Sequence, residues 1–201
     1  MSILPVPQLG TLPVLRERTR RVTSFGPSIQ RLIDDMIDTM HQQHGVGIAA
    51  NQIGSPLRIA IIEIPHNENE EEDRESLDHV HQFVLINPEI VRRVGEREVD
   101  EGCLSIPGLR GRLKRSIRVT AKALDREGKE YRIKAHGLLA QALEHETDHL
   151  NGTLYIDRVD KVEDLWPLVP AGEGEPSEKT GPDSQAIWRL RREAPPVVRR
   201  A

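Results

Sequence analysis

The pentapeptide His145-Glu146-Thr147-Asp148-His149 constrains this chain more than any other feature. On an α-helix, residues four apart share a face, so both imidazoles can reach one metal ion while Glu146 lies beside the first of them. A helix committed in this way must be held where a third ligand can meet it. The flanking pattern predicts such a helix from about Gly137 to Asn151, with Gly152 as its stop. Two surface histidines on a charged helix would look the same locally, so the motif needs a partner elsewhere in the chain.

Cys103 is the candidate. It is the only cysteine, which excludes an intramolecular disulfide and suits a reducing compartment. It sits in Glu101-Gly102-Cys103-Leu104-Ser105, after a strand-like segment. By itself a solitary cysteine reads as a small buried thiol; with the histidine pair it completes the three protein ligands of a catalytic metal site. A third segment, Gly45-Val46-Gly47-Ile48-Ala49-Ala50-Asn51-Gln52, lacks the Gly-Lys-Ser/Thr ending of a phosphate loop and follows a helix rather than a strand. It reads either as a tight connection that packs closely or as a place where a peptide backbone approaches and Gln52 offers an amide donor.

Around these segments, Ile29, Leu32, Ile33, Met36, Ile37 and Met40 mark one buried face of a helix over Pro27–His44, with Gly45 suited to a left-handed stop. Leu57–Ile64, Phe83–Ile86, Ile117–Leu124 and Tyr131–Lys134 read as strands, the last two joined by a hairpin turn at Asp125-Arg126-Glu127-Gly128. Helix, strands, helix predicts a single α+β domain with mostly antiparallel sheets around a central metal-binding helix. The catalytic domain is placed at 1–169. The acidic stretch 66–79 reads as a solvated insertion. Residues 170–201 read as a flexible Pro/Gly/Arg-rich tail, in which Trp188, Leu190 and nearby arginines form a weak basic docking element for the ribosome. Aromatics are 3% of the chain and net charge is −4, which argues against a base-stacking or sequence-specific nucleic-acid surface. No apolar run approaches the ~20 residues of a membrane span, and no signal peptide is evident. A cytoplasmic monomer is expected, and a processed organellar form would read the same.

Together, Gly45–Gln52, Glu101–Ser105 and His145–His149 resemble the three signature motifs of peptide deformylases, in the family's order and at similar separations. The likeness runs over roughly Leu4 to Asp160. It implies hydrolysis of the formyl group from the N-terminal formyl-methionine of new polypeptides. It implies one divalent ion on Cys103, His145 and His149, ferrous natively, with nickel, cobalt or zinc as substitutes. Glu146 would then be general base and acid, and the Leu104 backbone N–H and the Gln52 amide an oxyanion hole. Gly45, Val46, Gly47 and Gly102 would lie along the substrate, and Leu138 would wall a methionine pocket. Apart from the resemblance, Arg115 and Asp148 read either as a pair that braces the helix or as exposed charges.

Three positions depart from that pattern. Glu144 stands where the family usually has glutamine, and is expected either to alter the electrostatics of the site or to face solvent. Gln141 is unexpectedly polar near the pocket, and the acidic insertion is long. Two rivals remain: a metalloprotease with Glu163 or Glu173 as third ligand, and a silent ribosome-binding homologue acting through its tail.

Overall fold

The structure, a computed structural model, describes residues 4–6, 13–65 and 80–167. The acidic insertion at 66–79 and the tail at 170–201 lie outside the described residues. Helix α1 spans Pro27–Gln42, followed by β1 (Gly47–Ala49), β2 (Ile59–Pro65), β3 (Val80–Val94), β4 (Arg97–Cys103), β5 (Ile106–Arg115), β6 (Arg118–Leu124), β7 (Glu130–His136), α2 (Gly137–Leu150) and β8 (Leu165–Pro167). The strands form two sheets, in the orders β1-β2-β3-β6-β7 and β4-β5-β8, and every strand pairing is antiparallel.

The pleat explains how the five-stranded sheet receives a helix on each face. Ala60, Ile62 and Leu85 point to one side, where they meet Val119, Ala121, Ala123, Ile133 and Ala135 and the α2 residues Ala140, Ala142, Leu143 and Leu150. The many alanines on this side let α2 lie close to the strands. Ile59, Ile61 and Ile86 point to the other side and pack with Ile29, Ile33, Met36 and Met40 of α1. The smaller sheet has its own core, in which Val99, Leu109, Leu113 and Leu165 pack with Leu154, Tyr155, Ile156 and Val159.

Several sequence expectations are met and others shift. The hairpin turn is present: Gly128 has φ +85°, and the Asp125 carboxylate accepts the Glu127 and Lys129 N–H groups. Gly152 likewise takes φ +75° after α2, where a Cβ would run into the backbone carbonyl of Arg16. Helix α1, however, ends at Gln42, and the left-handed residue after it is His44 (φ +53°) rather than Gly45. The Gly45 N–H instead closes the helix on the Met40 carbonyl at 3.0 Å. Strand β3 runs well past Ile86, through Pro88, with register shifts between Ile86 and Glu89 and between Ile90 and Arg92. A break in pairing there accommodates the proline, which cannot donate to a ladder.

Leu143 is fully buried at the α2–sheet contact. Leu143→Ala should lower unfolding free energy by about 2–5 kcal/mol in a denaturant titration; a change under about 1 kcal/mol would mean that this contact contributes little.

Candidate active site

Helix α2 carries two histidines and three carboxylates into the interior, and its position is set by polar contacts along its length. At its start, Arg97 donates to the Gly137 carbonyl at 2.7 Å. In the middle, Glu144 is 6% exposed and accepts from the Ser116 N–H (2.8 Å), the Ser116 hydroxyl (3.1 Å) and Arg93 Nε (2.8 Å). At its end, the Leu150 carbonyl accepts from the Thr19 N–H, the Thr19 hydroxyl and Arg58, and the His149 carbonyl accepts from Asn51 Nδ2 at 2.6 Å. These donors satisfy carbonyls that a helix leaves unpaired at its C-terminus. Glu144 therefore anchors α2 to the β5–β6 connection; it does not face solvent. Gln141 reaches the Asp100 carbonyl at the surface.

The two imidazoles meet Cys103 at the end of β4. His149 Nε2 is 3.2 Å from both Cys103 Sγ and His145 Nε2, and the three donor atoms all lie within 4.8 Å of one another. Glu101 Oε2 takes the Nδ1 proton of His145 at 2.8 Å, which turns the Nε2 lone pair towards the cluster. Burial pushes the His149 pKa well below its usual value, which favours the neutral ring. Burial acts the same way on His145, but hydrogen bonds to Cys103 and Glu101 reverse it and raise that group. A thiolate and two imidazole nitrogens converging on one point fit a borderline transition-metal ion.

Glu146 lies beside this cluster. Burial raises its pKa from 4.5 to about 7, and its Oε2 is buried without a hydrogen-bond partner. A Cβ added to Gly47 would sit 2.5 Å from Glu146 Oε1, so glycine is what lets the edge strand β1 approach the carboxylate. Gln52 is 2% exposed; its Oε1 accepts the Ala49 N–H at 2.8 Å, which points Nε2 at Cys103 Sγ and Ser105 Oγ, both at 3.4 Å. Leu104 is half-buried in the turn between β4 and β5, and a Cβ on Gly45 would lie 3.1 Å from its Cδ1. Val46 and Leu138 stand 42% and 46% exposed, and Gly102 is exposed on β4.

Arg115 joins the two halves of the site. It pairs with Glu101 through Nε (2.8 Å) and Nη2 (2.9 Å) and with Asp148 through Nη1 (2.5 Å), so the expected Arg115–Asp148 contact is present. Arg158 adds a second cation to Asp148. Glu101 was not singled out from the sequence, although strand alternation places it on the same side of β4 as Cys103. Burial alone would raise the Glu101 pKa, but Arg115 and His145 hold it at about 2. Of the rival third ligands, Glu163 is exposed and outside the donor cluster, and Glu173 lies outside the described residues.

A family model described as polypeptide deformylase matches residues 3–164. The chain belongs to the peptide deformylase family. A peptide deformylase from Dehalococcoides mccartyi is 49% identical over 161 residues, covering 80% of this chain and 89% of the relative. Among solved structures, the deformylase of Ehrlichia chaffeensis in complex with actinonin is 36% identical with a TM-score of 0.72, covering 82% of this chain and 92% of that one. A Met-Ala-Ser bound deformylase from Acinetobacter baumannii is 31% identical with a TM-score of 0.69, covering 79% and 99%. The enzyme is thus a metal-dependent hydrolase that removes the formyl group from the N-terminus of nascent polypeptides. No helix among its described residues is long and apolar enough to cross a membrane.

Because Glu101 titrates at about 2 when folded against 4.5 ordinarily, its contribution to stability is present above pH 4.5 and is lost as pH falls towards 2. The linkage amounts to about 3 kcal/mol. Glu101→Gln should flatten the pH dependence of denaturant stability over that window by a similar amount; parallel curves for the two proteins would remove Glu101 as the linked group.

Proposed function

We propose that Cys103, His145 and His149 hold a single divalent ion and that Glu146 moves the protons of formyl hydrolysis. The buried, unpartnered Oε2 of Glu146 beside the three converging donors carries this assignment. When bound, the ion supplies Lewis acidity, which makes a water molecule acidic enough to react near pH 7 and polarises the formyl oxygen. The thiolate and two imidazoles accept ferrous iron, zinc, nickel or cobalt, and ferrous iron is proposed as the native ion.

Each residue then has a task. Glu146 takes a proton from the attacking water as the oxygen bonds to the formyl carbon. It delivers that proton to the amine nitrogen as the C–N bond breaks, leaving formate and a free N-terminus. Burial raises the Glu146 carboxyl, which favours its holding the proton between the two transfers. The negative charge that gathers on the formyl oxygen is stabilised by the Gln52 side-chain amide and the Leu104 backbone N–H. Ala49 pre-orients Gln52 for this purpose, because its N–H already holds the amide oxygen.

The substrate lies along β1. This strand is the edge of its sheet, with β2 on one side only, so a peptide can pair with it through main-chain hydrogen bonds that are indifferent to sequence. Gly45, Val46, Gly47 and Gly102 line this path, and exposed Leu138 offers an apolar wall for the first side chain. The Met-Ala-Ser bound relative supports the reaction, since that tripeptide is what formyl-Met-Ala-Ser becomes on losing its formyl group. We further propose a cytoplasmic monomer with its catalytic domain at 1–169, and a tail at 170–201 that contacts the ribosome.

Glu146→Gln should retain the metal content of the parent and lose about 10²–10⁴ in kcat towards a formyl-Met tripeptide; an active variant would end the proton-transfer assignment. Gln52→Ala should lower kcat by about 10²–10³ at near-normal KM. An effect confined to KM would assign Gln52 to binding instead.

A further inference from the structure

Helix α2 covers one face of the five-stranded sheet, but α1 covers only part of the other. The row that packs towards α1 on β3 and β6 ends with Ile86 opposite Leu124. Beyond it the outer face continues as three cross-strand rows: Glu89, Lys122 and Arg132; Arg92, Thr120 and Lys134; and Val94, Arg118 and His136. The alternate residues of β6 and β7, including Val119, Ala121, Ile133 and Ala135, face α2, which fixes the side to which these rows point. Glu89 is the one carboxylate in the rows, and it pairs with Lys122 at 3.0 Å. Arg92, Arg118, Arg132 and Lys134 are exposed and have no ion-pair partner among the described residues.

This charge pattern is not a general habit of the chain's exposed strands. On the outer face of the smaller sheet, Glu98 lies opposite Lys114 and Asp100 opposite Arg112, the latter pair at 2.9 Å. Opposite charges across strands stabilise a sheet and like charges destabilise it. Lys122 opposite Arg132, with Arg92 and Lys134 flanking Thr120, therefore works against the fold in a protein whose net charge is −4.

We infer that this basic face, which no element among the described residues covers, is a docking surface for the phosphate backbone of folded RNA. The strands hold the cations on a rigid grid, about 4.8 Å apart across strands and about 6.8 Å along them. Such a grid recognises phosphates by charge and shape and carries no sequence information. The three rows contain no Phe, Tyr or Trp, and their one ring, His136, stands in the last row, so the surface offers cations rather than a stacking platform or a bilayer anchor. The enzyme's substrates are polypeptides still being made, and these emerge from a particle whose surface is rich in RNA phosphate. Docking by this face is independent of the chemistry of the metal cluster.

The test is binding of the full-length metal-loaded enzyme to a short RNA duplex, followed by fluorescence anisotropy from about 50 to 200 mM salt. The variant R92Q/R118Q/R132Q/K134Q is expected to bind at least about 10-fold more weakly and to lose about 3–4 from the salt slope, near one per phosphate contact removed. The doubles R92Q/K134Q and R118Q/R132Q should each lose roughly half of that. The control R112Q/K114Q, on the other sheet, should bind as the parent does. All variants should keep the parent's kcat/KM on a formyl-Met tripeptide, and the quadruple variant should melt no lower, since repulsion is relieved. The proposal is overturned if the parent does not bind the duplex, if the quadruple variant binds like the parent, or if the control loses as much. Tighter binding to vesicles containing phosphatidylglycerol than to RNA would also overturn it, in favour of a lipid surface.

Discussion

A single guanidinium registers the two halves of the site against each other. Arg115 is 3% exposed and lies between Glu101, two residues before Cys103, and Asp148, one residue before His149. Two buried carboxylates flanking the proposed metal ligands would repel each other without it. Their attraction to a common cation sets the distance between the end of β4 and the face of α2. Removing one partner of such a buried cluster typically costs about 3–5 kcal/mol, because it strands an uncompensated charge. The same contacts reach the donor cluster: Glu101 accepts from Nδ1 of His145, so the tautomer of this proposed ligand depends on the salt-bridge network behind it.

The far end of α2 is secured in a second way. Asn51 Nδ2 donates to the carbonyl of His149, and Gln52, the next residue, points its amide at Cys103. A short 3₁₀ turn over Ala50–Ile53 thus touches both the ligand helix and the thiol strand. The proposed oxyanion donor Gln52 and two of the proposed ligands, Cys103 and His149, are consequently mounted on one connected polar frame. Glu144 extends the frame to the β5–β6 connection through Ser116 and Arg93.

Much of the site could be read from residue order because its chemistry is local. The i, i+4 histidines declare their shared face through helix periodicity alone, and Gly152 and Gly128 mark turns through their φ requirements. Strands β4 and β5 were harder to foresee, since Val99, Ile106, Leu109 and Leu113 are their only buried aliphatic residues, scattered among charged residues and glycines. Glu144 illustrates a different limit. One residue on a helix is a rotation of about 100°, so a neighbour of His145 in sequence turns away from the ligands to meet a different strand. Glu101 and Arg115 were invisible as a pair for the same reason that they matter: their contact exists only after β4, β5 and α2 have been brought together.

The central claim is that one ion on Cys103, His145 and His149 is what makes this chain a deformylase. Anaerobic purification followed by elemental analysis and a formate-release assay with formyl-Met-Ala-Ser, all on the same sample, tests it directly. The expected result is one transition-metal ion per chain, iron before exchange, with formate release that disappears on chelation and returns on adding a divalent ion. Full formate release from metal-free protein would contradict the account, as would an undiminished metal content after Cys103→Ala and His149→Ala are combined.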